Sequence, residues 1–478
     1  MSQASIAMNR FGLGARPDDR PGARPQAWLI DQFARYDPRP PAIAAQPATG
    51  IIAAQLADYT EEVRVLAQQG RRAAASGEAT EGEDAAQRAR QFARQQGREH
   101  YTAAVGARAQ AAVGSATPFV ERMVHFWANH FAVSSEKITM TGLTGAFEFD
   151  AIRPHVLGRF RDMLHAVERH PAMLLYLDQA QSIGPGSPAG QAAERRQGPR
   201  RVGLNENLAR EILELHTLGV RTGYSQGDVT EFARAMTGWS VAGLGRGPAA
   251  RMTAMDGELG EFIFAPRIHE PGARTILGKI YDQQGERQAA AVLDDLAAHP
   301  ATARHIATKL ARHFAGDEPP APLVARLEAA FLASGGDLPT LYKVLIDAPE
   351  AWVAAPVKFR NPWEWSIATM RALDTQEIPA AAVMGLMEQL GQPVWRPGSP
   401  AGYDDIAASW AGPDAVMRRV EAAERFAART RETIDARTRA AVLFPDALSA
   451  TTGQAIARAE SPAQGVALML VSPEFMRR

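Results

Sequence analysis

The chain has no cysteine among its 478 residues, little lysine, and a formal net charge of only −1. The first absence excludes disulfides, thiolate zinc sites, iron–sulfur clusters and cysteine nucleophiles, so any metal must be held by histidine, carboxylate or water. The near-neutral balance excludes a bulk electrostatic nucleic-acid binder. No apolar run is long and uncharged enough to span a membrane. The opening residues 1–19 carry neither an apolar h-region nor a twin-arginine signal, which makes the cytoplasm the expected compartment unless a partner carries the protein out. HExxH, GxSxG and P-loop patterns are missing as well. Arginine is as common as lysine is scarce, a bias that reads as genome composition.

Hydrophobic residues make up 46% of the chain, which calls for a packed core rather than disorder. The dominant period is helical. We read a mostly α, multi-helix globular protein with a small β insertion around residues 239–281. Residues 1–375 read as a helical core domain, and 376–478 as a C-terminal helical segment packed on it. Near the start, a helical pattern from Ile6 to Phe11 is broken by Gly12 and Gly14. No strand precedes these glycines, so a turn packed by Phe11 is expected rather than a dinucleotide loop. Residues 50–113 read as two polar helices around a mobile loop near 73–84.

Pro118 opens a strong helix whose core stripe is Val120, Met123, Val124, Trp127 and Phe131. His130 sits on one flank of that stripe, His125 and Asn129 on the other. The Gly/Pro/Arg-rich stretch 182–202 reads as a loop, with Arg195, Arg196, Arg200 and Arg201 on a solvated basic surface. His305, Lys309 and Arg312 lie opposite Ile306, Leu310 and Phe314, and read as a solvated helix face. Residues 391–410 read as a loop packed by Trp395, Tyr403 and Trp410.

The segment from Gly203 to Trp239, GLNENLAREILELHTLGVRTGYSQGDVTEFARAMTGW, organises the chain. At helical spacing Leu204, Leu208, Ile212 and Leu215 form an apolar stripe, and Asn207, Glu211 and Glu214 form a polar one beside it. Acids that flank a core face are partly buried, and a buried carboxylate needs a cation, a metal or a proton.

Several stretches together resemble the bacterial family called domain of unknown function 1800. They are ASIAMNRFGLGARP, ERMVHFWANHFAVS, RHPAMLLYLDQAQSIGPGS, the organising segment, HEPGARTILG, GQPVWRPGSPAGYDDIAASW and LVSPEFMRR. They run in family order over essentially the whole chain. The resemblance implies a largely helical protein of one extended domain; it does not imply an activity. Many relatives resemble WHNHF where this chain has Trp127-Ala128-Asn129-His130-Phe131, so a histidine at position 128 is not an essential ligand here. Many also carry Asp-Asn where this chain has Asp178-Gln179. The resemblance further implies a sulfatase-like, exported protein partner, because relatives are often encoded beside one.

Three readings of the chemistry follow from the residues. The first is a metal-dependent hydrolase or oxidoreductase, with His130, Glu211, Glu214 and His269 holding a divalent Zn, Mn or Fe ion. Asp178, Asp228 and Glu231 would then be further ligands or acid/base groups. The second is a non-catalytic scaffold or partner-binding protein, in which Glu211, Glu214 and Glu231 pair with arginines such as Arg153, Arg159 or Arg234. The third is metal-free hydrolysis by a carboxylate pair, on a glycan for example. Metal content separates the first two. Near-stoichiometric metal lost on Glu211→Ala with Glu214→Ala belongs to the enzyme; none after reconstitution belongs to the scaffold.

Overall fold

Many helix starts in this chain combine a polar cap with a following proline. His170 and His299 each accept a backbone N–H two residues on, at 3.1 Å, and each precedes a proline at the first helical position. Proline loses nothing there, because that N–H has no intrahelical partner. Ser225 and Asp228 form a reciprocal capping box, as do Asn361 and Glu364.

The computed structural model describes residues 1–76, 80–195, 203–244, 257–430 and 433–478, and they are mostly helical. Among them no helix is long and apolar enough to cross a membrane. Two long helices, Thr49–Ser76 and Thr80–Gly114, pack against each other. The loop expected near 73–84 is therefore narrower, since helix runs through Ser76 and resumes at Thr80; residues 77–79 lie outside the described residues. In the expected loop 182–202, Pro188–Arg195 is helical with Arg195 exposed, and Arg196, Arg200 and Arg201 lie outside the described residues.

The β insertion holds two antiparallel pairs, Trp239–Val241 with Phe262–Phe264 and Arg274–Ile276 with Lys279–Tyr281. The second pair turns through Leu277 and Gly278, both at positive φ. Such a two-residue turn matches strand twist. The unusual Leu277 is held by its N–H donating to Asp228 Oδ1 at 2.7 Å.

Apolar side chains gather in two large clusters. One runs from Ile6 to Ala351 and includes the whole expected stripe of Pro118–His130. The other joins the end of Thr80–Gly114 to the elements from Phe359 to Met476. Phe11 stacks on Phe314 and Trp352 in the first. Gly14, at φ 102°, lets the backbone press on Ala368, which a Cβ would meet at 2.7 Å. The glycines of the opening turn thus serve packing.

Several buried charges are paired with one another. Arg153 and Glu121, both buried, form a bidentate pair at 2.7 and 2.8 Å. Removing one partner strands the other in the core. Glu121→Ala is expected to cost about 3–5 kcal/mol, and replacing both residues by apolar side chains of similar volume far less. Denaturant unfolding of the two variants checks this; an unchanged midpoint for Glu121→Ala would contradict it.

Candidate functional site

The organising segment departs from simple helical periodicity. Asn207–Glu211 is α-helical, but Ile212–His216 is a π-helical turn. Thr217 Oγ1 donates to the Ile212 carbonyl at 2.6 Å, closing the widened turn. Each residue of a π turn advances by a smaller angle, so Leu213 and His216 rotate inward and are buried. Leu215, expected in the apolar stripe, is left half-buried. His216 Nδ1 meets Glu168 Oε1 at 2.7 Å, with both side chains fully buried.

The expected site residues are held by separate partners. Glu211 is half-buried, makes no ion pair among the described residues, and has its pKa raised by burial against the pull of His216. Glu214 lies 3.6 Å from Arg210. Glu231 is paired with Arg234 and, at 3.4 Å, with Arg274. Asp178 pairs with Lys137 at 3.0 Å, and Asp228 is committed to its capping box and to Leu277. His269 Nδ1 donates to the Thr237 carbonyl at 2.7 Å. Both ring nitrogens of His130 are occupied: Nε2 donates to the His216 carbonyl at 3.1 Å, and Nδ1 accepts from Lys309 Nζ at 3.0 Å. Among the described residues no three of the histidines, aspartates and glutamates gather to hold a metal.

A well-formed concavity lies elsewhere, between the two apolar clusters. It is a cavity of about 370 Å³ among the helices Pro118–His130, Pro300–Ala315 and Pro362–Ala372, covered by residues 392–406. Phe126 and Val133 reach it from one cluster, Trp363, Val394 and Trp395 from the other. Its polar wall carries Arg108, Arg122, His125, His305, Lys309, Arg312 and His313, with the carboxylates of Glu364, Asp404 and Asp405. The face of Pro300–Ala315 expected to be solvated therefore lines the cavity. An apolar stripe does not say whether its opposite face meets water or a covering loop. The signal available was His313, which extends the His305–Lys309 row by another four residues, together with a Trp/Tyr/Asp-rich loop in need of a surface.

Most of this wall is neutralised internally. Arg108 pairs with Glu148 at 2.9 Å, and Arg122 pairs with Glu364. His313 Nδ1 meets Asp405 at 2.8 Å, while its Nε2 accepts from Arg122 and Arg478 at 3.3 and 3.4 Å. That ring has no free nitrogen to serve as a base. Lys358, itself buried, holds the other oxygen of Asp405 at 3.2 Å. These partners keep Asp405 far below the ordinary carboxylate range against the cost of its burial.

Lys309 and Arg312 differ. Among the described residues Lys309 donates to His130 and makes no ion pair, and Arg312 gives only its Nε–H, to the Asp317 carbonyl at 3.3 Å. Burial, aided by Arg312 and opposed by Asp405, lowers the Lys309 ammonium to about 8. Two adjacent cations thus face the cavity without a carboxylate of their own.

A family model described as protein of unknown function (DUF1800) matches residues 6–477. The chain belongs to that family. No curated protein and no solved structure matches it. In this DUF1800 chain, the stretches ERMVHFWANHFAVS and GQPVWRPGSPAGYDDIAASW, which begin at Glu121 and Gly391, are far apart in sequence yet meet across one cavity. Ala128 is among its lining residues.

Burial holds His125 and His130 well below the usual histidine range, and His170, His305 and His313 at about 4. Such groups take up protons below about pH 6.5 only when the chain unfolds. Their contribution is intact above that pH and is lost as pH falls toward about 4, by at most ~1.4 kcal/mol per histidine per pH unit. Urea denaturation across that interval is expected to show a falling midpoint; a flat profile would contradict it.

Proposed function

We propose that the cavity binds a small organic carboxylate, gripped by Lys309 and Arg312. The carrying observation is that these two cations line it unpaired, whereas Arg108 and Arg122 beside them have carboxylates. Adjacent like charges repel, and an incoming anion relieves the repulsion while replacing lost hydration. The guanidinium of Arg312 offers a planar fork suited to a carboxylate. The volume, about 370 Å³, lies at the small end of ligand pockets. Trp363, Trp395, Tyr403 and Phe126 supply the apolar remainder of the wall.

For the organising helix pair a second role is favoured by its ion pairs, Glu214 with Arg210 and Glu231 with Arg234 and Arg274. There the acids hold helix register, as in the scaffold reading. A metal at His130 would require that ring to give up Lys309 or the His216 carbonyl.

Titration calorimetry with lactate tests the carboxylate site. Arg312→Gln is expected to weaken binding about tenfold or more, the equivalent of one charge-assisted hydrogen bond worth ~1.5–3 kcal/mol. Equal affinity in the variant, or no lactate binding by the wild-type protein, would overturn the proposal.

A further inference from the structure

The chain has five lysines. Lys137, Lys279 and Lys358 each sit on aspartates, and Lys343 is exposed. Lys309 alone of the five is half-buried on the cavity wall with a neutral imidazole as its partner. Arginine supplies the other cations of this wall, and a guanidinium does not give up its proton. An amine here does something arginine cannot.

We propose that Lys309 is a nucleophile that forms an imine with the ketone of a 2-oxo acid bound in the cavity. This rests on the carboxylate reading of the same site and names the substrate class. Three features of the geometry carry it. His130 is fixed with hydrogen on Nε2, because its partner there, the His216 carbonyl, can only accept. Its Nδ1 is therefore an acceptor and takes one N–H of Lys309 at 3.0 Å, orienting the amine without neutralising a positive charge. Arg312 stands three residues on along the same helix, on the same cavity. A 2-oxo acid places carboxylate and ketone on adjacent carbons, which suits a guanidinium beside an amine. The lowered basicity of Lys309 provides free amine near neutral pH, as for other lysines desolvated beside a cation.

The step balances without a redox partner. The nitrogen lone pair forms the C–N bond to the ketone carbon, and the C=O electrons move to oxygen. The C–O bond then breaks, and the oxygen leaves as water with the two amine hydrogens. Amine and ketone give imine and water.

Pyruvate with sodium cyanoborohydride, followed by peptide mapping, reads this directly, because the hydride converts the imine into a stable N-carboxyethyl lysine. The label is expected chiefly on Lys309, slowed by lactate, and absent from that position in Lys309→Arg. Faster labelling of exposed Lys343, or lactate binding with no label on Lys309, would overturn the imine and leave the carboxylate site standing. Label on Lys309 that lactate does not slow would support the amine chemistry and remove the proposed grip. Neither label nor lactate binding would remove both.

Discussion

The structure turns on one buried carboxylate. Glu364 accepts the Asn361 N–H that starts its helix, pairs with Arg122 from Pro118–His130, and lies 2.8 Å from Arg478 Nη2. Arg478 in turn donates to the His313 carbonyl at 2.8 Å, and its backbone exchanges hydrogen bonds with Lys358. One side chain thereby joins three helices and the chain's last residues at the seam between two apolar clusters. Arg478 and Arg122 hold Glu364 well below the usual carboxylate range in spite of its burial. A charge in that place is tolerated because every partner is itself hydrogen-bonded. The cavity lies on the same seam, where two cores meet and neither fills the space with hydrocarbon.

The buried arginines are spent on carbonyls as much as on acids. Arg371 donates to Ala112 and Val113, at the end of Thr80–Gly114, to Ser115 just beyond it, and to Gly14 of the opening turn. Arg10 reaches the carbonyls of Ala351 and Ala355, and Arg360 that of Phe475. Helix ends leave such carbonyls without intrahelical partners, and their partial negative charge attracts cations. A guanidinium with five donors in a fixed plane closes several at once, where an ammonium has three. The abundance of arginine, read from composition alone as a genomic bias, has a structural use in this fold.

Much of the fold was legible. The stripe Val120, Met123, Val124, Trp127 and Phe131 obeys one period and is buried throughout. The strands at Trp239 and Phe262, and the pair after Arg274, follow from alternation and turn residues. The cavity was not legible, because it depends on which helix face the loop 392–406 covers, a tertiary fact with no local signature. His305, Lys309 and Arg312 look the same in sequence whether water or Trp395 stands opposite. The inward turn of His216 was hidden for another reason. A period of 3.6 residues does not hold through Ile212–His216, where the backbone widens.

That widened turn is also what ties the organising segment to the cavity. A helix end leaves its last carbonyls open, and here Leu215 and His216 are among them. The Leu215 carbonyl accepts from His305 Nε2 at 3.2 Å, and the His216 carbonyl from His130 Nε2 at 3.1 Å. Carbonyls cannot donate, so both imidazoles are fixed in the same tautomer, with Nδ1 left as the acceptor. For His130 that acceptor faces Lys309. Regular α-helix through Ile212–His216 would aim these carbonyls differently and leave the His130 tautomer undetermined. The carboxylates of the segment are not what connects it to the cavity. Its backbone is, through two ring nitrogens and one amine.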